Sequence, residues 1–239
     1  MIKEAINRIL ELAAPSFKEI NNEIYCDRRI TRVDRELRAE PVRMNTLSSL
    51  VEYVKHTHDF KDAPYMIQVV SPTEVRLVSG LDSDRQREVL AEVHAEIPEF
   101  PFGQFVENEK FIIGVQSKFV GGEAGEDDKA VILAFAGNVK AGTVEKYGDD
   151  GVSQKAAVKR GVISLSEVEV PSPCVLMPYR TFTEVPQPAG SFIFRVKDSE
   201  RGVACALFEA DGGAWKNAAK AAIREYLEEQ LAGGIMIIS

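Results

Sequence analysis

Hydrophobic residues recur at helical spacing in the first fourteen residues of the chain. The apolar positions that share one helical face there are Ile2, Ile6, Ile9, Leu10 and Ala13. Pro15 ends the run, so the spacing predicts an amphipathic helix over residues 2–14. The Asn21-Asn22 pair lies between apolar residues and predicts a small hairpin over residues 20–25.

Alternation of apolar and polar residues replaces helical spacing after Pro64. Residues 65–70 and 74–79 are strand-like, and Ser71-Pro72-Thr73 predicts a turn between them. Residues 86–97 fit both helix and strand spacing. We predict a strand there, because a third strand completes a meander.

Helices and hairpins then alternate along the chain. Helices are predicted after the candidate caps Asn45 or Thr46, Asn108 and Asp127, and over 214–231; strands are predicted over 143–147, 154–159, 175–182, 191–197 and 203–209. This order predicts an α+β fold, with antiparallel hairpins and a meander, an N-terminal helix, a central helical pair and a C-terminal helix. We expect a single domain over residues 1–239, with a subdivision near 141–143 as the alternative.

Composition and charge narrow the classes of function. The 239 residues are 45% hydrophobic and 28% charged, with a formal net charge of -8. This acidic balance argues against broad binding to nucleic acid or to an anionic membrane, because both require a basic surface. No stretch approaches the roughly 20 apolar residues that span a bilayer. We therefore expect a cytoplasmic protein with no membrane partner.

The motifs of common cofactor and metal enzymes are absent from the sequence. Three cysteines and three histidines occur in the chain, and no pair of cysteines has the CxxC spacing of a zinc site. No phosphate-binding loop, dinucleotide motif, zinc-protease motif or nucleophile elbow occurs. We expect no cofactor and assign no catalytic residue.

Glu209 and Asp211 are the best candidate metal ligands. They lie where an apolar strand ends and a helix begins, with Lys216 nearby as an electrostatic partner. A pair of carboxylates at such a place can bind a divalent metal ion. The alternative interpretation, which we favour, is that Asp211 caps the helix while Gly212-Gly213 permits a tight turn.

Residues 178–188 combine aromatic residues, one arginine, one glutamate and three prolines. A rigid segment of this kind can pack two structural layers together. Alternatively, it faces a partner subunit, with Tyr179, Arg180 and Phe182 as anchors, because tyrosine and arginine are enriched among interface hot spots.

Two further segments are candidate binding surfaces. Residues 26–43 are the only dense basic segment, and Arg28, Arg29 and Arg32 are candidate ligands of an anion. Interleaved acidic residues favour a solvated, salt-bridged segment instead. Near the other end, Ile235 and Ile237 belong to an exposed-strand pattern that we expect to add to a neighbouring sheet edge.

Three segments of the sequence resemble the YfdQ-like proteins of phages and prophages. They are residues 149–154, residues 178–188 and residues 206–216, the last of which reads ALFEADGGAWK. The resemblance implies a phage or prophage origin and expression in a bacterial cytoplasm. It implies no catalytic residues, because that family is a domain of unknown function.

These observations favour a non-enzymatic protein that assembles with itself into a ring or shell-like homo-oligomer. One alternative is a protein that binds and sequesters an anionic nucleotide signal or a host factor, through Arg28, Arg29 and Arg32. Another is a metal-dependent enzyme acting on nucleic acid, with Glu209 and Asp211 as ligands. The acidic net charge argues against the last of these.

Overall fold

The chain consists of two compact units, Met1–Ala39 and Glu40–Ser239. A computed structural model describes residues 2–20, 23–27, 39–59, 64–82, 85–121, 126–141, 143–149, 154–160, 163–169, 172–199, 202–232 and 234–239. The alternative subdivision near residues 141–143 stays a prediction.

The N-terminal unit contains one helix and one hairpin. Helix α1 spans Ile2–Ala13, and strands β1 (Phe17–Ile20) and β2 (Glu23–Cys26) pair antiparallel. The backbone N–H of Ser16 donates to Asp27 Oδ1 at 2.9 Å, and the N–H of Asp27 donates to the carbonyl of Ser16 at 3.1 Å, which closes the open end of the hairpin. The predicted helix and hairpin are both confirmed.

A five-stranded sheet forms one half of the larger unit, in the order β14-β4-β5-β6-β3. Its strands are β3 (Val42–Met44), β4 (Tyr65–Ser71), β5 (Glu74–Ser79), β6 (Val89–His94) and β14 (Met236–Ile238). Strands β4, β5 and β6 form the predicted antiparallel meander, and the edge strands β14 and β3 pair parallel to β4 and β6. The choice of a strand within residues 86–97 is confirmed.

Helices α2 (Leu47–His56) and α5 (Trp215–Gln230) share a hydrophobic cluster with this sheet. Thr46 is the N-cap of α2, because its hydroxyl oxygen accepts a hydrogen bond from the N–H of Ser49 at 3.2 Å. Ala219, Ile223 and Leu227 are the buried residues of α5. Their spacing of four places them on one face of the helix, as the sequence predicts.

The other half of the larger unit contains the central helical pair. Helix α3 spans Asn108–Lys118 and helix α4 spans Glu126–Ala141. The Asn108 side chain links the two, since its Nδ2 donates to the carbonyl of Ala136 at 2.7 Å. Helix α4 begins one residue before the predicted cap, Asp127.

Two further sheets have the orders β11-β12-β13-β7 and β10-β9-β8. Their strands are β7 (Val106–Glu107), β8 (Thr143–Asp149), β9 (Gln154–Arg160), β10 (Ile163–Glu169), β11 (Cys174–Leu176), β12 (Gly190–Ser199) and β13 (Gly202–Glu209). Both predicted hairpins are confirmed, and β10 is an addition that the sequence analysis missed. The predicted strand over 175–182 was too long, since β11 ends at Leu176 and Pro178, which has no N–H to donate, forms only an isolated bridge with Phe119.

The larger unit has two hydrophobic clusters. One lies among α3, α4 and strands β11 to β13 and includes Phe111, Phe135 and Phe194. The other lies among α2, α5 and the five-stranded sheet and includes Phe182 and Val185. The α+β fold class is therefore confirmed, and none of the helices in the described residues is long and apolar enough to cross a bilayer.

Candidate functional site

Arg180 is the one charged side chain that is buried within the described residues, with 6% of its surface exposed. Its guanidinium lies between the end of β13 and the start of α5. Nη1 donates to Glu209 Oε1 at 3.0 Å, Nη2 donates to the carbonyl of Pro188 at 3.2 Å, and Nη2 lies 3.9 Å from Asp211 Oδ2. One buried cation thus connects three parts of the chain.

Aromatic rings complete the surroundings of the Arg180 guanidinium. Its Cζ lies 4.1 Å from the centroid of the Trp215 ring and 5.6 Å from that of Phe192. Burial lowers the pKa of Arg180, and the negative charges of Asp211 and Glu209 oppose that effect. Since an arginine in a protein stays protonated, the site holds a charged group that its carboxylates and rings stabilise.

Gln187 fixes the backbone that carries Arg180. Its Oε1 accepts hydrogen bonds from the N–H groups of Arg180 and Thr181, at 2.9 and 3.2 Å, and its Nε2 donates to the carbonyl of Phe182 at 2.9 Å. A side-chain amide thereby replaces the sheet hydrogen bonds that this proline-rich segment lacks. Thr181 also donates from Oγ1 to the carbonyl of Pro72 at 2.6 Å, on the turn between β4 and β5.

Gly190 and Gly213 allow the backbone to approach these charges closely. A Cβ on residue 190 would lie within van der Waals overlap of Arg180 Nη2 and 3.0 Å from Asp211 Oδ2. Gly213 has a φ of +83°, a conformation that L side chains rarely adopt, and its N–H donates to Asp211 Oδ1 at 2.9 Å. Both positions therefore require glycine.

The two predicted metal ligands, Glu209 and Asp211, do lie close together, with the Arg180 guanidinium between them. No group of three or more His, Cys, Asp or Glu side chains in the described residues is arranged to hold a metal ion. Lys216, the predicted electrostatic partner, has its Nζ 5.9 Å from the centroid of the Trp215 ring. The metal-binding role of the two carboxylates stays a prediction, and the cation that they contact in this structure is Arg180.

A shallow depression of about 300 Å³ lies beside this group. Small side chains of residues 189–191 and of the first turn of α5 line it, together with Asp211 and the Trp215 ring. The Trp215 indole Nε1 is buried and has no hydrogen-bond partner within the described residues. The contacts of Arg180 hold β13, α5 and the proline-rich segment 178–188 together.

Glu209 and Asp211 were predicted as a pair of metal ligands and Arg180 as an interface anchor, but their contact with one another was not predicted. The sequence analysis also missed Gln187, Trp215 and Gly190 as parts of the same group. An arginine between apolar residues and prolines is a sign of a buried cation, which needs a carboxylate nearby. That sign could have paired Arg180 with the two acidic residues.

The other predicted interface residues lie in different places. Tyr179 is half-buried, and its N–H donates to the carbonyl of Lys118 at 2.9 Å. Phe182 is 1% exposed and belongs to a hydrophobic cluster, so its ring contacts the interior of its own chain. Ile235 and Ile237 are partly buried against the same cluster. Of the two alternatives for residues 178–188, the packing of layers is therefore the one that the contacts support.

The predicted terminal strand adds to a sheet edge of its own chain. Residues Met236, Ile237 and Ile238 form β14 and pair with Met66, Ile67 and Gln68 of β4. Arg28, Arg29 and Arg32, the candidate anion ligands, lie outside the described residues.

Exposed apolar side chains are concentrated in the N-terminal unit. Seven of the thirteen large hydrophobic residues that the structure shows as exposed belong to it: Ile2, Ile6, Ile9, Phe17, Ile20, Ile24 and Tyr25. Ile2 is 80% exposed and Ile24 75%. Exposed apolar side chains that form a large patch mark interaction sites in soluble proteins.

Comparison with known proteins found no family model, no curated protein and no solved structure that matches this chain. The resemblance to YfdQ-like proteins therefore stays a prediction.

Proposed function

We propose that this chain assembles with itself into a homo-oligomer and that the N-terminal unit provides the principal contact between copies. The observation that supports the proposal is the exposure of isoleucines along α1, including Ile2 at 80% and Ile9 at 64%. A second copy covers these side chains without any other partner being required.

The described side chains of the N-terminal unit form no buried core of their own. None of its side chains that the structure describes is buried, and Cys26 is the only one among them that is even half-buried. A helix of 12 residues is marginal in water, and so is an isolated two-stranded hairpin. An apolar surface of a second copy would add to the stability of both elements.

The spacing of the apolar residues along α1 favours an identical helix as the partner. The intervals between Ile2, Ile6, Ile9 and Ala13 are four, three and four residues. This is the spacing of the contact positions in paired helices that pack side by side. Because a second copy carries the same apolar stripe, two α1 helices are complementary to each other.

A ring or closed shell in the bacterial cytoplasm is the form and location that we propose for the assembly. The resemblance of residues 178–188 and 206–216 to YfdQ-like proteins supports the cytoplasmic location. The two other functions stay predictions. Anion binding depends on Arg28, Arg29 and Arg32, and metal-dependent catalysis depends on Glu209 and Asp211.

The test is the mass of the assembly, measured by native mass spectrometry and by sedimentation velocity over a wide concentration range. We expect the full chain to be a discrete oligomer and the double variant Ile6→Lys, Ile9→Lys to be a smaller species. Lysine keeps the helix propensity and replaces the apolar stripe with charge.

The matched control is Ile113→Lys. Ile113 is 56% exposed on α3 of the larger unit, so it tests the effect of an exposed isoleucine as such. The control should form an assembly of the same mass as the unmodified chain does. A monomeric unmodified chain, or a double variant that assembles as the control does, would contradict the proposal.

A further inference from the structure

The two edges of the five-stranded sheet differ in their protection against pairing with another strand. At one edge, Pro41 precedes β3 and Arg43 is its central residue. Prolines and charged residues on edge strands are devices that prevent sheets from joining. At the other edge, β14 has only Met236, Ile237 and Ile238, and within the described residues no strand pairs with its outer side.

The side chains of β14 divide between the two faces of the sheet. Ile237 pairs with Ile67, which is fully buried, so it lies on the face that packs against the helices. Met236 and Ile238 lie on the opposite face and are 66% and 44% exposed. Met236 continues an apolar row, because the residue opposite it is Met66, and the residue opposite Met66 is Val78.

We propose that β14 of two copies pair antiparallel about a two-fold axis that passes beside Ile237, which joins the two sheets into one. In this register Ile237 lies opposite Ile237 of the second copy. Met236 lies opposite Ile238 of the second copy on the same face, and the reverse pair forms as well. Both exposed side chains thus gain an apolar cross-strand neighbour.

Two features indicate that the partner that pairs with this edge is a second copy of the chain. Residues 231–239 contain no charged side chain, whereas the chain has a net charge of -8. Copies of an acidic chain repel one another, and this neutral segment is where they approach at the lowest electrostatic cost. In addition, the protected edge at β3 leaves the five-stranded sheet one unprotected edge, so pairing through this sheet closes at two copies.

This contact is separate from the one that we propose for α1 and does not depend on it. An assembly that uses both contacts is larger than a dimer, because each copy then joins two others. The experiment therefore starts from the variant Ile6→Lys, Ile9→Lys, in which the contact through α1 is removed. For this variant we expect a dimer in which the two copies pair through β14.

Adding Met236→Lys and Ile238→Lys to that variant should convert the dimer into a monomer, as measured by light scattering coupled to gel filtration. The matched control is Val70→Lys, since Val70 is 37% exposed on the neighbouring strand β4 but is not on the edge strand. Circular dichroism verifies that all variants are folded. A starting variant that is already monomeric, or a dimer that withstands both lysines, would overturn the proposal.

A covalent probe tests the register directly. In the full chain with Cys26→Ser, the substitution Ile237→Cys places one thiol beside the proposed two-fold axis. We expect oxidation to give a disulfide-linked dimer, and none with Val70→Cys in the same background. A dimer in solution that forms no more disulfide with Ile237→Cys than with Val70→Cys would exclude this register. This outcome is independent of the result for α1, so the two proposals can fail separately.

Discussion

Helices α1 and α5 have the same kind of apolar stripe, yet their stripes have opposite environments. In α5, Ala219, Ile223 and Leu227 are buried against the five-stranded sheet. In α1, Ile2, Ile6 and Ile9 are exposed. Periodicity therefore predicts that a segment forms a helix and which face is apolar, but it does not predict what covers that face. The described side chains on that face of α1 are exposed, and this is the observation on which the proposed contact between copies depends.

The same contrast holds for the two units as wholes. Among the described residues, the larger unit has two hydrophobic clusters of thirteen buried residues each, whereas no described side chain of the N-terminal unit is buried. Substitutions in the larger unit should therefore change its stability, whereas substitutions of exposed apolar residues in the N-terminal unit should change its association.

The largest expected effect is that of Phe182→Ala compared with Phe17→Ala. Phe182 is buried and Phe17 is 58% exposed on β1. We expect the first substitution to lower the free energy of unfolding of the larger unit by about 3–5 kcal/mol, because it removes a buried ring and leaves a cavity. The second should change this free energy by less than about 0.5 kcal/mol.

Urea denaturation followed by the fluorescence of Trp215 measures both values. Trp215 is the only tryptophan in the chain and lies in the larger unit, so its emission reports on that unit alone. Equal losses for the two variants would remove the distinction between the units.

Substitution of Arg180 should have an intermediate effect. Arg180→Ala removes a charge-assisted hydrogen bond to Glu209 and leaves Asp211, which is 12% exposed, without its cation. We expect the free energy of unfolding to fall by about 2–3 kcal/mol.

Gly190→Ala should lower the free energy of unfolding by about 1–3 kcal/mol, because its Cβ overlaps Arg180 Nη2 and pushes the guanidinium away.

The combination of the two substitutions tests this cause. If Gly190→Ala acts by displacing Arg180, it should be much less harmful once residue 180 is alanine. The losses are then not additive, and a double-mutant cycle from urea denaturation measures the difference. Additive losses would show that Gly190→Ala does not act by displacing Arg180.

The smallest expected difference is that in the reactivity of the three cysteine thiols. Burial raises the pKa of both Cys174 and Cys205 to about 12, and the charge of Asp128 adds to the effect at Cys174. Since the thiolate is the reactive form, we expect only the half-exposed Cys26 to react quickly with a thiol reagent near pH 8. All three should react after unfolding, and the number of fast thiols in the native protein is the measurement.

The same shifts set a pH dependence of stability. The thiols of the unfolded chain ionise near pH 9, whereas burial raises the pKa of the two thiols in the native chain to about 12. Their contribution to stability is complete below pH 9 and is lost as the pH rises from 9 to 12. A Cys174→Ala, Cys205→Ala variant should lose less stability over this interval. Equal losses would mean that other groups cause it.

Much of the fold could be predicted from short stretches of sequence. The stripe on α5, the meander of β4 to β6 and the hairpin of β12 and β13 depend on periodicity and turn residues, which are local properties. The failures lie where local patterns end. Residues 177–189 alternate partly as a strand does, but their sheet-type pairing is limited to one isolated bridge between Pro178 and Phe119, and Gln187 supplies hydrogen bonds from a side chain instead.

The group around Arg180 could be predicted only in part. The sequence places Glu209 and Asp211 two residues apart, so their proximity follows from the chain itself. Arg180 lies 29 residues before Glu209 along the chain, and its position between the two carboxylates depends on how β12, β13 and α5 pack. No spacing in the sequence contains that information.

The sequence by itself determined the fold class, most helices and strands, the acidic charge and the apolar character of α1 and of the segment 235–238. Only the tertiary structure decided that Phe182 is interior, that the two carboxylates contact a guanidinium and that β14 is an edge strand of its own chain. The physical reason is the distance along the chain over which each kind of interaction acts. Helical and strand periodicity comes from backbone geometry over a few residues, whereas burial and charge pairing depend on contacts between residues that are far apart in the chain.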